Sequence, residues 1–175
     1  MRDLLTQNIE SLAEFLAHAL ELEVESAERY RELADSMRVH NNMDVSELFR
    51  KLADYGDAHA AEVEQRTAGL ELPHISPWDF KWSCPEAPEA PCMEDAHYMM
   101  TNCQALELAL HNEIVGRDFY AQVASDSNNP VVRQTAAAMA AEEDTHVAML
   151  REWIAREACF AQEPPPDLDP PNMPE

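Results

Sequence analysis

The sequence predicts an all-α protein built as a four-helix bundle, in which a long crossover joins two antiparallel helical hairpins. Turn-forming residues are scarce: the 175-residue chain has three glycines, and proline is absent from residues 1–72, 92–129 and 131–163. All-β and α/β domains need frequent turns rich in glycine and proline, so both classes are strongly disfavoured. Within the same three segments, apolar residues recur every three or four positions, which is the spacing of a helix face.

The first hairpin is predicted from two such helices. One covers about residues 7–38. The other begins near Asp44, where an aspartate followed by Glu47 is typical of a capped helix start, and it ends near Gly69. The loop between them is short, so the two helices are expected to run antiparallel.

The second hairpin is predicted from the same kinds of signal. Its first helix covers about 93–126, and Asn129 with Pro130 is typical of the N-cap and first turn of a last helix that runs to about 162. Between the hairpins lies a crossover at about 70–92, which is long enough to span the bundle. The second and third helices are therefore expected to run parallel.

Residues 1–162 are thus assigned to the bundle, and the acidic, proline-rich tail 163–175 is expected to be disordered. The crossover carries three aromatic side chains that are expected to anchor it to the bundle or to a second subunit: Trp78, Phe80 and Trp82. Apolar area beyond what one bundle covers predicts a homodimer.

Charge and cysteine content limit the classes of function. The 34 acidic against 12 basic residues give a formal net charge of −22, which argues against nucleic acid or an anionic membrane as a partner. The amphipathic N-terminus lacks the apolar core of a signal peptide, so a cytoplasmic location is expected. The four cysteines form no C-x-x-C motif and are expected to be reduced thiols, although pairing or metal binding by Cys84 and Cys92 is left open.

An internal repeat relates the two hairpins. In each, a glutamate precedes a tyrosine by seven residues, and a pair of asparagines precedes a histidine by eighteen. The repeated residues are Glu23, Tyr30 and His59 in the first hairpin and Glu113, Tyr120 and His146 in the second. The matched offsets predict a pseudo-twofold axis that places equivalent positions opposite each other.

Five polar residues interrupt the apolar stripes and are candidates for a metal site: Glu23, His59, Glu113, Glu143 and His146. A carboxylate buried alone is costly, so such side chains are paired, protonated or bound to a metal. The spacing of Glu143 and His146 puts both on one helix face. Three carboxylates and two imidazoles that converge from four helices suit iron, manganese or zinc.

Three motifs carry a resemblance to a known family: E-x6-Y at 23–30, E-x6-Y at 113–120 and E-x-x-H at 143–146. Over about residues 7–160 the chain resembles the ferritin-like superfamily, and most closely the ferritin-like domain of rubrerythrin. The resemblance implies a ferritin-like bundle with a di-iron centre. It implies metal ligands at Glu23, His59, Glu113, Glu143 and His146, and tyrosines beside them, able to hydrogen-bond to the carboxylates, at Tyr30 and Tyr120.

Two positions depart from the family pattern. Gly56 stands where the second-helix motif has a glutamate, and its missing side chain is expected to point at the site. Leu110 stands where rubrerythrins carry an extra glutamate. The resemblance therefore leaves open whether one or two ions bind, with water, Asp57 or Glu62 completing the second. Gly116 is interpreted either as a close-packing position or as room for a small oxidant.

The resemblance implies a non-haem iron oxidoreductase that reduces hydrogen peroxide or oxidises Fe(II), with peroxide or oxygen as the small oxidant. The sequence shows no rubredoxin-like domain, so electrons are expected to come from a separate donor. Two alternatives stay open. One is a metal-binding, iron-storage or iron-delivery bundle without turnover, and the other is a metal-free interaction bundle.

Overall fold

The structure is a computed structural model that describes residues 9–81, 87–91, 96–157 and 159. Within this part of the chain there are α-helices and no strands, so the predicted all-α class is confirmed. The α-helices are α1 Leu12–Val39, α2 Met43–Arg66, α3 Asn102–Asp126 and α4 Pro130–Arg156, and a short 3-10 helix covers Pro77–Asp79. None of these described helices is long and apolar enough to cross a membrane.

α3 begins at Asn102 rather than near residue 93 as predicted. Thr101 and Gln104 form a capping box: the Thr101 hydroxyl accepts a hydrogen bond from the Gln104 amide at 3.3 Å, and the Gln104 side chain accepts one from the Thr101 amide at 2.9 Å. A turn at residues 98–99 precedes the cap. The T-x-x-Q signature marks this start, and apolar spacing alone does not reveal it.

α2 begins at Met43, and its N-cap is Asn42 rather than the predicted Asp44. The Asn42 side chain makes no capping hydrogen bond. It donates instead to the carbonyl oxygens of Tyr98 and Met100, at 3.2 and 2.8 Å. This amide therefore ties the end of the crossover to the loop between α1 and α2.

The ends of α2 and α4 fall before the predicted ends. α2 stops at Arg66, and Gly69 lies beyond it with φ +81°, a left-handed conformation that favours glycine. α4 begins as predicted, because the Asn129 side-chain oxygen accepts a hydrogen bond from the Val131 amide at 2.9 Å. It ends at Arg156 rather than near residue 162.

The helices pack as the two predicted hairpins, α1 with α2 and α3 with α4. Between the hairpins, Glu23 of α1 contacts Tyr120 of α3. Two turns later in α1, Tyr30 contacts Asn112, which precedes Tyr120 in α3. α1 is therefore antiparallel to α3, and α2 runs parallel to α3, as the length of the crossover predicts.

Two hydrophobic cores lie at different levels of the bundle, with polar residues between them. On α1 the change from one core to the other falls between Leu22 and Tyr30, and on α4 it falls between Met139 and Leu150. The buried residues of α2 and α3 also pass from one core to the other at this level. The five candidate ligands lie at this level and are called the polar layer below: Glu23, His59, Glu113, Glu143 and His146.

Cys103 and Cys159 form a disulfide, with their Cα atoms 5.3 Å apart. The expectation of reduced thiols is therefore wrong for these two cysteines. Cys103 lies in the first turn of α3 and Cys159 follows α4, so the antiparallel pairing brings both to one end of the bundle. Other predictions fall on residues outside the described ranges: Trp82, Cys84, Cys92 and the tail 163–175.

One aromatic residue of the crossover packs on the bundle, as predicted. The Phe80 ring meets the His18 ring of α1 edge-on, with centroids 5.1 Å apart, and the Lys81 amide donates to His18 Nε2 at 2.9 Å. Burial lowers the pKa of His18, which keeps the ring neutral and able to accept this hydrogen bond. Trp78 is 83% exposed and does not anchor the crossover to its own bundle.

Candidate metal centre

The polar layer gathers the five candidate ligands from four helices, although His59 belongs to neither of the two ligand groups described below. His146 Nδ1 lies 2.6 Å from Glu143 Oε2 and 3.4 Å from Glu113 Oε2, and His59 Nδ1 lies 3.5 Å from Glu23 Oε2. The two imidazole rings are stacked, with centroids 4.1 Å apart. The histidines of the internal repeat thus lie opposite each other, and each turns its Nδ1 towards a carboxylate.

The carboxylates of the layer are short of hydrogen-bond donors. Glu23 is 2% exposed and Glu143 is 3% exposed. Within the described part of the chain, Glu23 Oε2 and Glu113 Oε2 make no well-formed hydrogen bond, and the nearest histidine nitrogens lie 3.5 Å and 3.4 Å away, respectively. A buried carboxylate oxygen without a donor is unfavourable unless a proton or a cation satisfies it.

The ligand atoms of this region fall into two overlapping groups. Within each group the ligand atoms lie within 4.8 Å of one another. One group is Glu113, Glu143 and His146, and the other is Glu23, Glu89 and Glu143. Glu143 belongs to both groups, so its carboxylate joins two sets of possible ligands.

Glu89 is a member of this cluster that the sequence analysis missed. It lies in the crossover, is 4% exposed, and its Oε1 has no hydrogen-bond partner among the described residues. Its side chain fills the space beside Gly116, where an added Cβ would lie 1.8 Å from Glu89 Oε1. Neither predicted role of Gly116 describes this arrangement. The sequence did carry one signal for it: Gly116 lies inside a predicted helix, one turn from Glu113, at a position where glycine lowers helix stability.

Gly56 lies beside the polar layer, but a side chain at this position would be crowded by Ala27 of α1. An added Cβ would lie 3.0 Å from the Cβ of Ala27 and 3.3 Å from its backbone nitrogen. Glycine therefore lets α1 and α2 approach closely at this point, next to the cavity that Gly56 lines together with His59 and Glu113. Asp57 does not complete the layer, because it forms an ion pair with Arg31 at the surface.

Crowding and burial shift the pKa values of this cluster. Burial raises the pKa of Glu143 to about 7, and it raises the pKa of Glu89 well above the usual value, with a further contribution from the charge of Glu23. Burial alone would lower the pKa of His146, but the carboxylates of Glu113 and Glu143 raise it to about 10. In the absence of a cation, the cluster therefore keeps protons that reduce the repulsion among its carboxylates.

The two tyrosines beside the layer have different partners. The Tyr120 hydroxyl donates a hydrogen bond to Glu23 Oε1 at 3.3 Å, which is the type of contact that the resemblance implied. The Tyr30 hydroxyl accepts a hydrogen bond from the Asn112 side chain at 3.3 Å. Burial raises the pKa of both tyrosines, so both hydroxyls stay protonated.

Two cavities border the polar layer, and His59 and His146 line both. One has a volume of about 170 Å³ and is also lined by Tyr30, Tyr55 and Met149. The other has a volume of about 130 Å³. These volumes admit a few water-sized molecules, so the cavities suit a small oxidant better than a bulky substrate.

Comparison with known proteins found two similarities. A family model described as Rubrerythrin matches residues 14–80. A similar solved structure is titled as that of COG1633, an uncharacterized conserved protein from Magnetospirillum magnetotacticum MS-1. The two chains are 42% identical, the match covers 90% of this chain and 99% of the other, and the TM-score is 0.65. No curated protein matches the chain.

Proposed function

We propose that this chain, which belongs to the ferritin-like superfamily as a rubrerythrin-type member, binds iron in its polar layer and uses it to reduce hydrogen peroxide or to oxidise Fe(II). The observation that carries the proposal is the pair of ligand groups that share Glu143. Two groups with a common carboxylate suit two ions held close together. The proposed ligands are Glu23, His59, Glu113, Glu143 and His146.

The donor set fits the proposed metal. Carboxylate oxygens and imidazole nitrogens are suitable ligands for iron, and manganese and zinc are the natural competitors for such a site. Each ligand group contains a carboxylate oxygen without a hydrogen-bond partner among the described residues, Oε2 of Glu113 in one and Oε2 of Glu23 in the other. A bound cation would satisfy both oxygens and would offset the repulsion among the buried carboxylates.

The protein's own side chains would prepare the site for redox chemistry, which bound iron supplies. Tyr120 holds the Glu23 carboxylate through a hydrogen bond, and the two hydrophobic cores lie on either side of the layer. The cavities beside His59 and His146 limit access to small molecules. Reduction of one hydrogen peroxide to two waters consumes two protons and two electrons, and we propose that a separate donor delivers these electrons.

Metal loading followed by rapid mixing tests the proposal. The wild-type protein is loaded anaerobically with Fe(II), freed of unbound metal, and mixed with hydrogen peroxide in a stopped-flow spectrometer. We expect about two irons per chain and a change in absorption that is faster than that of free Fe(II) in buffer. Bound metal without a faster reaction would favour the storage or delivery bundle. A chain that binds no metal would favour the interaction bundle.

We also propose that the protein is a cytoplasmic homodimer. The largely exposed Trp78 is a natural part of a subunit interface. A mass near 19.8 kDa by light scattering at micromolar concentration would contradict the dimer. The Cys103–Cys159 disulfide bears on location, because cytoplasmic thiols are usually reduced. Alkylation of free thiols at the moment of lysis, followed by mass spectrometry, shows whether this bond exists in the cell.

A further inference from the structure

We propose that Glu89 is a ligand of the iron centre and replaces, from the crossover, the carboxylate that α2 lacks at Gly56. This inference rests on the proposed iron site and adds a ligand that the family motifs do not contain. It also assigns a role to the crossover, which would close over the metal and be held in place by it.

The first support is the environment of the Glu89 carboxylate. It lies with ligand atoms of Glu23 and Glu143 in one group whose members are within 4.8 Å of one another, and all three residues are buried. Glu89 Oε1 has no hydrogen-bond partner within the described part of the chain. Because three buried carboxylates repel one another, a bound cation explains their convergence better than a structural contact does.

The second support is the notch at Gly116, the space that a side chain at this position of α3 would occupy. An added Cβ would lie 1.8 Å from Oε1 of Glu89, 2.4 Å from its Cδ and 2.3 Å from its Cγ. Any residue other than glycine would therefore displace the Glu89 side chain. Glycine weakens a helix interior relative to alanine. The need for space beside Glu89 explains why α3 nevertheless has glycine at position 116.

The third support is that the backbone at Glu89 is held independently of its carboxylate. The Ser26 hydroxyl of α1 donates a hydrogen bond to the Glu89 carbonyl oxygen at 3.4 Å. The Ala90 amide donates to the Ala87 carbonyl at 3.0 Å, and both alanines are buried. This short turn presents the Glu89 side chain to the polar layer, and a bound metal would restrain the turn further.

Gly56 completes the argument, because it lines the same cavity as Glu89. An added Cβ at position 56 would lie 3.0 Å from the Cβ of Ala27, and α2 contributes His59 to the layer without a carboxylate one turn earlier. The crossover thus supplies an acidic group on the side where α2 lacks one. Metal binding should therefore also slow amide hydrogen exchange in the crossover at residues 87–91.

The variant Glu89→Gln tests the ligand, with Glu71→Gln, at an exposed position of the crossover, as the matched control. Iron per chain and affinity are measured anaerobically by competition with a chelator. We expect Glu89→Gln to weaken the binding of one iron by about tenfold or more. Glu71→Gln should leave both the number of irons per chain and the iron affinity unchanged. Gly116→Ala removes no carboxylate but should weaken the binding of the same iron, because its Cβ displaces the Glu89 side chain.

Thermal melting separates a ligand from a structural residue. Removing one acid from a crowded cluster should leave the metal-free Glu89→Gln protein melting at or above the wild-type temperature, while the rise in melting temperature on adding Zn²⁺ becomes smaller. A metal-free variant that melts lower, with an unchanged rise on adding Zn²⁺, would assign Glu89 a structural role and overturn the proposal.

A measurement on the wild-type protein needs no variant. Amide hydrogen exchange at residues 87–91 should slow by about tenfold or more when Zn²⁺ or anaerobic Fe(II) binds, while exchange at the exposed turn 98–99 stays the same. If the wild-type protein binds iron but neither this exchange nor the Glu89→Gln affinity changes, Glu89 is not a ligand. If the wild-type protein binds no metal, the proposed function itself is wrong.

Discussion

The imidazole rings of His59 and His146 lie nearly parallel, with 7° between their planes and 4.1 Å between their centroids. They come from α2 and α4 and are equivalent positions of the internal repeat. The axis that relates the two hairpins therefore passes close to the polar layer. The layer is not symmetric, however, because Tyr120 contacts Glu23 whereas its counterpart Tyr30 contacts Asn112.

Replacing the shared ligand should affect both proposed ions. Because Glu143 belongs to both ligand groups, we expect Glu143→Ala to reduce bound iron from about two per chain to less than one. Elemental analysis after anaerobic loading measures this. Glu152→Ala is the matched control, since Glu152 lies on the exposed face of the same helix and pairs with Arg156. Equal iron content in both variants would show that Glu143 binds no metal.

The tyrosines should differ in their effect on metal binding. Tyr120→Phe removes the hydroxyl that donates to Glu23, so we expect iron affinity to fall by about tenfold. Tyr30→Phe removes a hydrogen bond to Asn112, so it should lower the free energy of unfolding by about 1 kcal/mol with a smaller effect on iron. Chelator competition and denaturant unfolding measure the two quantities. The opposite order of iron affinities would show that Tyr30, not Tyr120, supports the ligands.

Substitution of Gly56 should destabilise the hairpin of α1 and α2. An alanine there gains about 1 kcal/mol of helix propensity, but its Cβ would lie 3.0 Å from that of Ala27, and overpacking of this kind costs about 1–3 kcal/mol. We expect a net loss of about 1 kcal/mol by denaturant unfolding. The double variant Gly56→Ala with Ala27→Gly should recover stability.

Gly56→Glu extends the same argument to metal binding. Because an added Cβ at position 56 would crowd Ala27, and Glu89 already supplies a carboxylate to the cavity that Gly56 lines, we expect this variant to lose stability and to gain no iron. A measured increase in iron per chain would show that α2 can rotate and deliver a carboxylate to the layer.

The stability of the metal-free protein should fall as pH rises from about 5 to 8. The folded pKa of Glu143 is about 7 against an ordinary 4.5, so the unfolded chain loses this proton first and stability declines over that interval. The folded pKa of His146 is about 10 against 6.5, so its contribution is complete below pH 6.5 and declines as pH rises towards 10.

Both pKa shifts act in the same direction. We expect the free energy of unfolding to fall by on the order of 1–3 kcal/mol between pH 5 and pH 8, as measured by denaturant unfolding with a chelator present. Glu143→Gln should flatten this profile. Metal binding should stabilise the protein more at pH 8 than at pH 5, because the ligands must lose their protons to bind. A wild-type stability that stays constant or rises over this range would contradict these shifts.

Local signals predicted much of the fold. The start of α4 follows from Asn129 and Pro130, because a cap and a first-turn proline act within a few residues. The start of α3 was predicted too early, although Thr101 and Gln104 carried the signal for it. Apolar residues keep a helical spacing through the segment before Thr101, although the structure has a turn at 98–99.

The helix-borne part of the site was accessible from the sequence, because the repeat and the E-x-x-H spacing place those side chains on facing stripes. Glu89 was not accessible, since it lies in a segment without periodicity and reaches the layer through tertiary packing on Gly116. The crowding at position 56 could not be predicted either, because it depends on how closely α2 approaches Ala27. The disulfide depends likewise on two chain ends that meet only in the folded bundle.

Anomalous diffraction at the iron edge, from crystals of anaerobically loaded wild-type protein, tests the proposed two-ion centre most directly. We predict two peaks in the polar layer, one beside Glu113 and His146 and the other beside Glu23 and Glu89, with the Glu143 carboxylate in contact with both. An absence of peaks from the layer, or peaks confined to surface carboxylates, would contradict the proposed iron centre.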